Sequence, residues 1–103
     1  MSEPVYEVVW PKSAQGVQSK RSADRLDGLA NKRVAFVWDY LFRGDELFPI
    51  LERELRMREP AIEIVGYETF GNSHGADEAD FIARLPDALA EHRIDAVISG
   101  MGC

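Results

Sequence analysis

Lys32-Arg-Val-Ala-Phe-Val-Trp-Asp39 is the stretch that decides the fold. Val34 to Trp38 is an unbroken apolar run, the mark of a strand covered on both faces in a parallel sheet. Asp39 stands where that strand should end, and the loop Tyr40-Leu-Phe-Arg-Gly44 follows. A helix is expected from Asp45 or Glu46, whose charges suit the positive end of a helix dipole. Leu47, Phe48, Leu51 and Leu55 fall on one face of it, and Glu52, Arg53, Glu54 and Arg56 supply most of the other. Pro49 is tolerable in a first turn, and Pro60 closes the unit.

Downstream the pattern repeats. Ala61-Ile-Glu-Ile-Val-Gly-Tyr67 reads as a second strand, and it flows into the glycine-rich loop Glu68-Thr-Phe-Gly-Asn-Ser-His-Gly75. A helix starting at Asp77 or Glu78 carries Phe81, Ile82, Leu85 and Leu89 toward the sheet, with Pro86 expected to kink or split it. Residues 94–98 form the third strand, which enters the turn Ser99-Gly-Met-Gly-Cys103. Strand, helix, strand, helix, strand gives two right-handed crossovers. The fold class is therefore α/β, a three-layer open parallel sheet. It amounts to half of a Rossmann-like or flavodoxin-like fold, truncated after the third core strand.

Upstream, Val5-Tyr-Glu-Val-Val-Trp10 is β-prone and ends at Pro11, which suits an edge strand or an arm lying on a partner. A polar connector without periodicity follows it. Residues 1–31 are thus read as arm and connector, and 32–103 as the α/β domain.

Composition excludes several functions. The chain has 103 residues and a net charge of −6, with 18 acidic against 12 basic residues. That balance argues against gripping a nucleic-acid backbone. No apolar run approaches the roughly 18 residues of a membrane span, and the amino terminus has no signal-peptide character. A single cysteine permits no internal disulfide and points to a reducing compartment, the cytoplasm. One cysteine and two distant histidines offer no metal-site spacing. There is no P-loop and no G-x-G-x-x-G, and no cofactor is identified from the residues. Membership of a homo- or hetero-oligomer stays open.

Parallel topology brings three loops to one edge of the sheet: residues 39–45, 68–75 and 99–103. Small-molecule ligands of open α/β sheets bind beyond that edge. Asp39, Arg43, Asp45, His74, Ser99, Gly100, Gly102 and Cys103 are the candidates there. Cys103 reads either as a nucleophile or redox centre, or as a small apolar residue. The preceding glycines favour function, whereas a terminal carboxylate beside the thiol opposes a low pKa. His74 reads equally as an acid/base group or as an exposed loop residue. Asp39 is a functional acid or a turn-former. Asp45 is a helix-start residue, and Arg43 is its ion-pair partner or a carboxylate binder. Arg43, Asp45, Ser99, Gly100 and Gly102 are taken as the substrate-binding set.

The segments Trp38-Asp-Tyr-Leu-Phe-Arg-Gly-Asp-Glu46, Tyr67-Glu-Thr-Phe-Gly-Asn-Ser-His-Gly75 and Ile98-Ser-Gly-Met-Gly-Cys103 resemble the UGSC-like family. That family is named for a selenocysteine-Gly-Ser-Cys motif, Cys-Gly-Ser-Cys in many members. The resemblance implies thiol or selenol redox chemistry. Gly100 and Gly102 match the family's lead-in turn, and Cys103 stands just before, or in register with, the first redox residue. The Gly-Ser-Cys part is absent: either the chain is a truncated piece, or its gene carries UGA after the Cys103 codon, read as stop instead of selenocysteine, and the second is the favoured expectation. The chain is then the inactive amino-terminal portion of a thiol- or selenol-dependent oxidoreductase. Two alternatives remain. One is a lyase, hydratase or isomerase in which a strand-end cysteine works with His74 and Asp39. The other is a non-catalytic subunit completed by a partner chain.

Overall fold

The computed structural model describes residues 3–7, 16 and 19–102. The elements run in the expected order: β1 (Arg33–Trp38), α1 (Gly44–Arg58), β2 (Glu63–Val65), a short 3-10 turn (Tyr67–Thr69), α2 (Glu78–Glu91) and β3 (Ala96–Gly100). The three strands form one parallel sheet of order β2-β1-β3, with Arg33 facing Glu63 and Val34 facing Ala96 in register. A 2-1-3 order is that of the flavodoxin-like half, not the 3-2-1 start of the Rossmann arrangement.

Every residue from Val34 to Trp38 is buried, because β1 lies between two strands and between two helices. Its alternate side chains divide the core. Val34, Phe36 and Trp38 pack with Phe48 and Ile62, backed by Leu51, Leu55 and Ile98. Ala35 and Val37 pack on the opposite face with Phe70 and Phe81, backed by Leu85 and Leu89. The two helices thus cover opposite faces of the sheet, as two crossovers of one hand around a central β1 require.

Three details of the helices differ from the expectation. α1 starts at Gly44, one residue early, so Pro49 lies in its second turn. α2 runs unbroken through Pro86. In both cases the carbonyl deprived of a donor, at Asp45 or Ile82, belongs to a residue on the exposed side, where solvent can reach it. Leu47 and Ile82 do not join the core; they are 53 % and 59 % exposed. The flank of α1 holding Leu47 borders an apolar groove of about 420 Å³ between α1 and β3. On the other face of β3, Val97 and Ser99 are exposed.

At the edge where the strands begin, Arg33 ties three elements together. Its backbone N–H donates to Asp95 Oδ2 (2.9 Å), its Nε to the His92 carbonyl (2.6 Å) and its Nη1 to Glu63 Oε2 (2.5 Å). Residues 19–32 contain no helix or strand, and Val5 and Tyr6 are exposed. The remainder of the expected amino-terminal strand, residues 8–10, lies outside the described residues. No helix among the described residues is long and apolar enough to cross a membrane.

Candidate functional site

The β2-β1-β3 order makes the carboxyl ends of β1 and β3 a topological switch point, since the chain leaves β1 toward β2 on the other side. Asp39 occupies that point, directly after β1, and is fully buried (0 % exposed). Its backbone N–H donates to the Gly100 carbonyl (3.2 Å), carrying the β1–β3 pairing one residue past the strand. Its Oδ1 accepts the Leu41 N–H (3.0 Å), closing its own turn. Its Oδ2 accepts the Gly102 N–H (2.6 Å), 63 residues away, which clamps the glycine turn. Burial pushes the carboxyl pKa up. The Gly102 and Leu41 N–H groups and the nearby His74 outweigh it, and the pKa lies below the ordinary aspartate value.

The second loop joins the same edge through β1. Trp38 pairs with Asn72 as an isolated bridge, and the Ser73 N–H donates to the Trp38 carbonyl (3.2 Å). Asn72 Oδ1 accepts the His74 N–H (2.8 Å), fixing the turn that presents the imidazole. His74 is half exposed, with Nδ1 4.0 Å from Glu78 Oε2, a separation too long for a hydrogen bond.

An aromatic wall backs the clamp. Trp38 stacks on Tyr40 at 4.3 Å and meets Tyr67 edge-on at 4.9 Å. Tyr40 has a φ of 63°, in the left-handed region that non-glycine residues seldom occupy, and is 42 % exposed. Burial, and then the Glu68 carboxylate, raise the pKa of both Tyr40 and Tyr67. The buried Trp38 Nε1 has no hydrogen-bond partner among the described residues. Glycine is required where these rings press on the backbone. A Cβ on Gly44 would lie 2.6 Å from Trp38, and one on Gly100 2.8 Å from Phe42 and 2.9 Å from Phe48. A Cβ on Gly102 would lie 3.0 Å from Phe42.

The structure therefore brings Asp39, His74, Gly100 and Gly102 together. It does not bring in the other described candidates. Arg43 is exposed and pairs with Glu46 (2.6 Å) instead of Asp45. Asp45 is exposed in the first turn of α1, and Ser99 points to the face opposite α1. Cys103 lies outside the described residues; it follows Gly102 in the chain. Among the described residues no group of three or more His, Cys, Asp or Glu is placed to hold a metal ion. Leu41, Tyr40 and Tyr67 are site residues that sequence reasoning did not single out, and Phe42 reads there as core more than as part of a ligand cage. The aromatic spacing Trp38, Tyr40, Phe42 was their only trace, and it reads equally as core.

The pairing of a switch-point acid with a glycine turn matches the segments on which the family resemblance rests. No curated protein matches the chain, and neither does any solved structure. The UGSC family model matches residues 7–103, so all three loops and the whole sheet fall inside it. The chain belongs to the UGSC family.

Proposed function

We propose that this chain is the amino-terminal portion of a thiol- or selenol-dependent oxidoreductase, in which the turn after β3 presents the redox group to a small-molecule substrate. The observation that carries this reading is the clamp of Asp39 Oδ2 on the Gly102 N–H (2.6 Å), which fixes the backbone immediately before Cys103. Family membership supports it through the motif, whose lead-in glycines match Gly100 and Gly102. The chemistry of such a motif is a two-electron exchange. Two thiol-type groups join, giving two electrons and two protons to a reducible molecule, and two external thiols restore them by joining as a disulfide of their own.

The residues of this chain do narrower work. Asp39 is ionised at neutral pH and engages an N–H group with each oxygen, so it positions the turn instead of shuttling a proton. His74, half exposed beside it, is the group placed to give or take a proton at the substrate. Gly100 and Gly102 let the turn lie flat on Phe42. The Gly-Ser-Cys continuation follows Cys103 on this reading, and the single cysteine of this chain supports a reducing compartment, the cytoplasm.

The first test is the gene beyond the Cys103 codon. In-frame TGA, or a cysteine codon, followed by Gly-Ser-Cys codons is the expected result; a stop with no open frame beyond it overturns the reading. In the protein carrying that motif, replacing either redox residue should abolish thiol-dependent turnover. Turnover that instead persists without reductant, follows a bell-shaped pH profile and vanishes in His74→Ala would establish acid/base chemistry in its place.

A further inference from the structure

We propose that Glu78 is a positioning residue for His74: its carboxylate takes the Nδ1–H of the imidazole and leaves Nε2 to carry a proton between the redox group and the substrate. This inference rests on the reading above, in which His74 handles a proton at the substrate.

The two residues share one closed turn. Asn72 Oδ1 accepts the His74 N–H (2.8 Å), and Asn72 is itself bridged to Trp38 at the end of β1. Further along, the Glu78 N–H donates to the Gly75 carbonyl (3.2 Å), and Glu78 is the first residue of α2. His74 and Glu78 are thus held four residues apart across a helix start, a spacing at which side chains meet. Three acids stand at that start, Asp77, Glu78 and Asp80. Among them Glu78 is the one whose carboxylate comes within 4.0 Å of the imidazole, and it does so at Nδ1. Asp39, the other carboxylate near His74, has its oxygens turned to the Leu41 and Gly102 N–H groups. A small side-chain rotation closes the gap of 4.0 Å, and hydrogen bonds of this kind are often long before substrate binds.

A carboxylate on one ring nitrogen fixes the tautomer, and it steadies the imidazolium that forms when the other nitrogen takes up a proton. As the two thiol-type groups join, one of their two protons passes to Nε2 and on to the reduced substrate. The other leaves to solvent, which supplies the substrate's second proton. The imidazole returns to its neutral form.

Nitrogen NMR of the neutral imidazoles tests the pair on this chain without turnover, with His92 as the internal reference. Nδ1–H is the form expected at His74, against the Nε2–H form that a solvated histidine favours. Glu78→Gln should keep it, since the amide oxygen also accepts, and Glu78→Ala should lose it, both with the wild-type circular dichroism. In the protein carrying the Gly-Ser-Cys motif, Glu78→Ala should lower kcat by roughly tenfold and leave KM within about twofold. An Nε2–H form in the wild type, or a tautomer indifferent to Glu78→Ala, overturns the proposal, and so does an unchanged kcat. Failure of the redox reading looks different: turnover without thiol dependence, and the tautomer pattern intact.

Discussion

Arg33, the first residue of β1, and Asp39, the residue just beyond its last, each tie β1 to distant parts of the chain, yet they do so in opposite surroundings. Arg33 reaches Asp95 with its backbone N–H, and Glu63 and the His92 carbonyl with a side chain about one third exposed; Glu63 is more exposed still. Asp39 reaches Gly100, Gly102 and Leu41 entirely through backbone groups, with no exposure at all. The first arrangement is built on a side-chain ion pair at the solvent boundary, where water competes for it. The second is a carboxylate on backbone N–H groups in a dry site, where each bond is stronger and harder to lose. One edge of the sheet tolerates change; the other fixes a backbone position.

That contrast can be broken or sharpened by four substitutions. The largest effect should come from Phe48→Ala, which removes the ring that packs on Phe36 (4.8 Å) and lies under Gly100. It should cost about 3–5 kcal/mol in denaturant unfolding, and a loss no larger than that of an edge ion pair would undo the contrast. Gly100→Ala comes next. Its Cβ would press on Phe42 and Phe48, and a loss of about 1–3 kcal/mol is expected. If Gly100→Ala proved neutral, the turn would not be seated as tightly as the geometry says.

The third test is the acid limb of stability. Because the folded pKa of Asp39 lies below its unfolded value of about 3.9, its contribution is complete above that value and is lost as pH falls through the lower folded pKa. Asp39→Asn should therefore flatten the acid limb by one titrating group and speed amide exchange at Gly102 by roughly tenfold. An unchanged acid limb together with unchanged Gly102 exchange would remove the clamp from the account. Smallest of all should be Glu63→Gln at the opposite edge, at about 0–1 kcal/mol and further reduced by salt.

The sheet was legible because its central strand is apolar at every position, which few other arrangements produce. The helices were legible as elements but not at their margins. A period of 3.6 places Leu47 and Ile82 next to the buried stripe without saying whether a neighbour covers them. The prolines misled for a related reason, since the penalty of a missing donor depends on whether solvent reaches the orphaned carbonyl. At the site, the meeting of three loops followed from parallel topology alone. The part played by Asp39 did not, because it rests on a bond to Gly102 that no local pattern announces. Arg43, Asp45 and Ser99 were placed by loop membership, whereas their directions depend on helix phase and strand pleat.

The aromatic rings lodged against Gly44, Gly100 and Gly102 constrain how this edge can evolve. A glycine there gains a side chain only if the ring against it shifts, and a ring that shrinks first leaves a void in the core. Either single step passes through a less stable protein, so the viable route is a paired exchange on a background with stability to spare. Across related sequences, position 44 should therefore vary together with 38, and positions 100 and 102 together with 42. This edge changes as a unit or stays as it is.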